Sequence, residues 1–182
     1  DLAALSSGAA LIEPAADLLE LAGPDRLRLV NGLVTADVKV VAPGSAISGF
    51  FTTGQGKILA DFQLLAGTES CWLVLPVGTG ETIRTHLEKY KVASRVEVTP
   101  DVDRRIFELR GPRAGEVATA ATELLSAEDF EVTICAAGGS FFLLPKASAS
   151  GEQLTQRLPR GEGLGLRRVS AAAVEIVRVE TG

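Results

Sequence analysis

Apolar and polar positions alternate along this chain in two registers, and the switches between them predict its elements. Two short apolar stretches, 10–12 and 18–21, are separated by Pro14 and Asp17 and read as a strand pair. Gly23-Pro24 then breaks the pattern, and Leu27, Val30 and Val34 recur at helical spacing, which predicts a short helix over 24–33 ending near Gly32. From 46 to 76 the texture is that of strands, at 47–52, 57–65 and 71–75, joined by short glycine-bearing connections that predict antiparallel hairpins. Thr79 is placed to cap a helix running to Tyr90, with Ile83, Leu87 and Tyr90 on one face, and 95–98 reads as a strand.

The second half echoes this order. A strand at 106–109 leads into Gly111-Pro112 and a helix to 125, followed by a strand pair, 130–135 and 140–144, around Gly138-Gly139. A polar stretch from 148 to 165 carries a helix at 153–158, and the last helix is expected at 170–179. The fold class expected is α+β, with two similar units of antiparallel sheet plus helix, divided as 1–100 and 101–182. The echo falls short of a true repeat.

Composition narrows the function. With 182 residues, of which 46% are apolar, the chain can bury a substantial core. No run approaches the roughly 20 apolar residues of a membrane span, and Asp1-Leu2-Ala3-Ala4 does not open like a signal peptide, so a cytoplasmic, non-membrane setting is expected. The sequence contains no methionine, which reads as part of a longer protein. Acidic side chains outnumber basic ones by 23 to 18, a balance that disfavours nucleic acid as a partner. Cys71 and Cys135 lie in apolar segments and read as small buried hydrophobes.

The residues alone offer little catalysis and no metal site. The single histidine, His86, sits among Thr85, Glu88 and Lys89 and reads as a solvated helix residue without the partners that nucleophilic or metal chemistry needs. Gly54-Gln55-Gly56-Lys57 leads into a strand, so it reads as a hairpin turn and not as a phosphate-binding loop. Asp61 interrupts the apolar run Leu59 to Leu65, and a carboxylate there faces solvent, a partner or a ligand. Arg178 and Glu180 alternate with valines, and the pair points either into one polar cavity or into water.

Four segments, taken in order, carry a resemblance. Gly23-Pro24-Asp25-Arg26 runs through an apolar helix into Thr35-Ala36-Asp37-Val38; Gly56-Lys57-Ile58-Leu59-Ala60-Asp61 precedes Trp72-Leu73-Val74-Leu75; Phe107 to Ala114 reads Phe-Glu-Leu-Arg-Gly-Pro-Arg-Ala; and the chain closes on Arg178-Val179-Glu180-Thr181-Gly182. Together they resemble the folate-binding superfamily of the glycine-cleavage T-protein (GcvT) and YgfZ. The resemblance implies the first two domains of a three-domain ring that holds a reduced folate in its centre, without the C-terminal barrel domain. It implies tetrahydrofolate as cofactor. Asp61 then corresponds to the acid beside the reactive nitrogens of the folate, Glu180 to the glutamate that grips the pterin, and Arg178 to a brace for Glu180 or the site wall, a structural ion pair being the alternative.

Where the T-protein carries a Gly-Tyr-Thr-Gly-Glu segment, the corresponding region here reads Ala136-Ala137-Gly138-Gly139-Ser140-Phe141-Phe142-Leu143-Leu144, which favours the YgfZ-like branch over the aminomethyltransferase itself. That branch implies an accessory factor for iron-sulfur cluster assembly or repair, with iron-sulfur client proteins as partners and no catalytic residue assigned. A tetrahydrofolate-dependent aminomethyltransferase or demethylase is the alternative, and a ligand-free module of the same fold is a third reading.

Overall fold

The computed structural model describes residues 7–127, 132–145 and 166–170. These form two units, one made of residues 15–102 and the other of 1–14 with 103–182. In the first unit, β2 (Asp17–Ala22), α1 (Arg26–Asn31), a 3-10 turn (Val38–Val40), β3 (Ala46–Thr52), β4 (Ile58–Ala66), β5 (Ser70–Leu75), α2 (Gly80–Tyr90) and β6 (Glu97–Pro100) follow one another. The sheet order is β3-β4-β5-β2-β6, and every neighbouring pair is antiparallel.

The period-2 pattern puts Phe51, Ala60, Phe62, Leu64, Ala66, Cys71, Leu73, Leu75, Leu19 and Leu21 on one face of this sheet. There they meet Leu29 and Val30 of α1 and Ile83 and Leu87 of α2. Phe51 and Phe62 pack with ring centroids 5.0 Å apart. Gly49 lies opposite Phe62, and a Cβ on it would stand 3.0 Å from both the Phe62 ring and the Ala36 methyl, so glycine lets the strand, the ring and the 36 loop close together.

The second unit has β1 (Ala9–Ile12), β7 (Phe107–Arg110), α3 (Ala114–Ala127), β8 (Val132–Ala137), β9 (Ser140–Pro145) and β10 (Leu166–Val169), in the sheet order β10-β1-β7-β9-β8. Small side chains of α3 at helical spacing, Ala114, Val117, Ala118 and Ala121, pack on Ala9, Leu11, Phe107, Leu109 and Leu143. Glu13 is fastened by Arg105 and Arg168, each at 2.8 Å, and the buried Glu108 is matched by Arg110 at 2.6 Å, as a carboxylate removed from water requires.

Several expectations need correction. The strands at 10–12 and 18–21 form, but they do not pair with each other. β1 lies between β10 and β7, and β2 lies between β5 and β6, so the first fourteen residues belong with 103–182 and the contiguous division at 100 does not describe the packing. The Thr79 hydroxyl does not cap α2; it donates to the Pro76 carbonyl, and the first turn is served instead by Asp17, whose Oδ2 accepts the Gly78 and Gly80 N–H groups at 2.9 Å each. Ahead of the expected last helix stands the unforeseen strand β10, parallel to β1. The helix at 153–158 and the residues from 171 onward, Arg178 and Glu180 included, lie outside the described residues. Among the described residues no helix is long and apolar enough to cross a membrane.

Candidate functional site

Asp61 stands in the middle of β4, exposed, between the buried Ala60 and Phe62. Alternation turns it to the sheet face opposite the core of its unit. No hydrogen bond or ion pair joins its carboxylate to another described residue. β5 ends at Leu75, and the Gln63–Val74 pair sets a register in which that is one position short of Asp61.

On the other side Asp61 is paired with Phe50 of β3, and the next pair on this face is Gln63 with Ser48, whose side chains are joined by a 3.3 Å hydrogen bond from Gln63 Nε2 to Ser48 Oγ. Directly opposed residues of an antiparallel pair share a face, so these four side chains form one array.

The array is fixed from its outer edge by Thr35. Its N–H donates to the Phe50 carbonyl at 3.0 Å, and its Oγ1 accepts the Phe50 N–H at 3.1 Å. Both backbone groups of Phe50 therefore point away from β4, and Phe50–Asp61 is a non-hydrogen-bonded pair. In such pairs the Cα atoms approach to about 4.5 Å and the side chains are at their closest.

The rest of the Thr35-x-Asp37-Val38 motif holds Thr35 in place. Asp37 Oδ1 accepts the Lys39 N–H at 3.2 Å, Asn31 Oδ1 accepts the Val38 N–H at 3.0 Å, and the Val38 side chain is wholly buried.

The Gly23-Pro24-Asp25-Arg26 motif is also architectural. Gly23 has φ +114°, and the Arg26 guanidinium donates to the carbonyls of Gly23 (3.0 Å) and Thr68 (2.8 Å). Asp25 Oδ2 accepts the Arg95 N–H at 2.9 Å. That backbone hydrogen bond, with the charges of Arg28 and Arg95, holds the Asp25 carboxyl below its ordinary range.

Gly54 to Lys57 is the turn between β3 and β4. Thr53 Oγ1 accepts the N–H groups of Gln55 (3.3 Å) and Lys57 (3.2 Å), so it is a hairpin turn as read. Cys71 and Cys135 are buried and outside any disulfide, and burial pushes the Cys71 thiol up to about 12. His86 is half-buried and not freely solvated, its ring lying edge-on to Tyr90 at 5.0 Å between centroids. No cluster of three or more His, Cys, Asp or Glu side chains able to hold a metal occurs among the described residues.

Of the three site residues expected from the sequence, the structure thus places Asp61. It adds Phe50, Ser48, Gln63 and Thr35, which sequence reasoning did not single out. The adjacent Phe50 and Phe51 carried a signal, since strand alternation buries only one of them.

Comparison with known proteins gives a consistent set of relatives. The family described as the GCVT N-terminal domain matches residues 7–139. The tRNA-modifying protein YgfZ of Photorhabdus laumondii is 25% identical over 149 residues, 78% of this chain and 45% of its own length. The mitochondrial aminomethyltransferase of Dictyostelium discoideum is 28% identical over 91 residues, 50% of this chain and 23% of its own length. This chain therefore spans less than half the length of these curated relatives. The crystal structure of glycine cleavage system aminomethyltransferase T from Bartonella henselae superposes with a TM-score of 0.73 at 21% identity, over 97% of this chain and 52% of that one, which establishes the shared fold.

Proposed function

Since the chain belongs to the GCVT N-terminal domain family, we propose that it is the front part of a tetrahydrofolate-binding protein of the YgfZ-like branch. The observation that carries this reading is Asp61, an exposed carboxylate with no partner among the described residues, held on a strand whose other face is core. A residue of that kind is free to serve a ligand, and the rigidity of β4 holds it in place.

Of the expected donors, Asp61, exposed and without a partner among the described residues, fits the cofactor. When bound, tetrahydrofolate supplies nitrogens that accept and carry one-carbon units. Beside them Asp61 accepts a hydrogen bond or stabilises positive charge. By the resemblance, Glu180 would accept the paired donors of the pterin's amino-pyrimidine edge and Arg178 would brace it.

The β8–β9 hairpin supports the choice of branch. Its strands pair from Val132–Pro145 to Ala137–Ser140 and close through Gly138 and Gly139, both at positive φ, and residues 136–144, which stand where the Gly-Tyr-Thr-Gly-Glu segment is expected, carry no Tyr, Thr or Glu. The role proposed is a cytoplasmic accessory factor for iron-sulfur cluster assembly or repair. The net charge of −5 favours protein clients over direct contact with tRNA, the molecule in the name of the Photorhabdus relative. The identity to the Dictyostelium enzyme favours a second reading, a tetrahydrofolate-dependent aminomethyltransferase or demethylase, which turnover of an aminomethyl or methylamine donor would establish.

Calorimetric titration of tetrahydrofolate into the natural full-length protein tests the site. Asp61→Ala and Glu180→Ala are each expected to weaken binding, and equal affinity in all three proteins would sink the assignment.

A further inference from the structure

The face that carries Asp61 also carries a large aromatic ring beside it. Phe50 is 45% exposed although it sits mid-strand and is held by its backbone from Thr35. It is the direct, non-hydrogen-bonded partner of Asp61, so ring and carboxylate rise from the same face at the closest spacing a sheet allows. A scattered surface phenylalanine needs no explanation. This one differs in being fixed beside a carboxylate without a partner, on a face whose next pair, Ser48 and Gln63, satisfies itself.

We infer that Phe50 is a binding residue that stacks on the aminobenzoyl ring of the folate. The inference rests on the folate reading of Asp61. If Asp61 faces the folate's reactive nitrogens, N5 of the pterin ring and N10 on the aminobenzoyl group, a ring beside that carboxylate lies within reach of the aminobenzoyl ring, the benzenoid part of the reduced cofactor. Offset or edge-to-face packing with that ring is the favourable arrangement for such a pair. Phe50 would then select for folates over free reduced pterins, which have the same reactive ring but lack the aminobenzoyl group. Asp61 would serve both.

Calorimetric titration of the natural full-length protein with tetrahydrofolate and with 6-methyltetrahydropterin separates the two residues. Phe50→Leu keeps the apolar bulk and removes the aromatic face, and it is expected to weaken tetrahydrofolate about three- to tenfold while leaving the pterin unchanged. Asp61→Asn is expected to weaken both ligands. Because Phe50 lies outside the core, the urea midpoint of Phe50→Leu should match wild type, which excludes loss through misfolding. Wild-type affinity of Phe50→Leu for tetrahydrofolate, with Asp61→Asn weakened, would overturn the stacking role and leave the folate reading standing. Equal weakening of both ligands by Phe50→Leu would overturn the assignment to the aminobenzoyl ring. Absence of tetrahydrofolate binding by wild type, or its insensitivity to Asp61→Asn, would overturn the folate reading and the role of Phe50 with it.

Discussion

Replacing Gly23 with alanine tests whether the glycine of the Gly-Pro-Asp motif is there for backbone geometry. Its φ of +114° lies where an L side chain is strained, and an ideal Cβ would stand 2.3 Å from the Arg95 carbonyl oxygen and 3.2 Å from the Val96 Cα. The obstacle is backbone and cannot rotate away. To relieve it, the segment leading into β6 must move, which pulls the Arg95 N–H from Asp25 and shifts Val96 in the core. A strained φ costs roughly 1–3 kcal/mol and overpacking roughly another 1–3 kcal/mol, so a loss of about 3 kcal/mol is expected.

Urea unfolding followed by the fluorescence of the single tryptophan, Trp72 on β5, reports on this unit. Gly32→Ala is the control, since Gly32 has φ −73° and its added Cβ would meet nothing closer than 3.6 Å. It should be neutral or stabilising by up to about 1 kcal/mol. A Gly23→Ala protein within about 0.5 kcal/mol of wild type would refute the reasoning.

Two further outcomes concern titration. The Asp25 carboxyl is held below its ordinary value of 3.8, so its contribution is present above that pH and is lost as pH falls through the lower folded-state value. Asp25→Asn should therefore lower the urea midpoint at pH 7 and lose this effect in strong acid; a deficit independent of pH would contradict it. The Cys71 thiol is raised from 9.0 to about 12 by burial, so its contribution is intact below pH 9 and declines as pH rises from there toward 12. At pH 8 a thiol reagent should label Cys71 only as fast as the unit opens, and rapid labelling of native protein would contradict the burial.

How much of this was legible in the sequence depends on how far apart the interacting residues lie. The strands of the β3–β4–β5 meander follow from period-2 alternation, and their pairing follows from short turns. The strands at 10–12 and 18–21 were legible as strands but not as members of different sheets, because alternation specifies a face and not a neighbour. β10 escaped notice because Leu166-Arg167-Arg168-Val169 offers only four residues with two charges at its centre, and its partner β1 lies at the other end of the chain. The sequence points to the local Thr79 as the cap of α2, whereas the oxygen that accepts there belongs to Asp17, 63 residues before Gly80. Asp61 was visible because a carboxylate interrupts an apolar run. Phe50 was not, since only the register shows which of two adjacent phenylalanines faces the core.

The family motifs divide along a physical line. Gly23 and Gly111, at φ +114° and +115°, each end a strand and precede a proline and a helix, and in each case the N–H three residues on bonds back to the glycine carbonyl. The same chain reversal is used twice, which gives the echo between the halves a structural cause. Thr35, Asp37 and Asn31 are likewise accounted for by hydrogen bonds within the first unit. Among the described residues Asp61 has no such account: it stabilises no turn, caps no helix and pairs with no described cation. On the binding face proposed for β3 and β4, substitutions at Phe50 and Asp61 should therefore alter ligand binding while the urea midpoint of the unit stays in place.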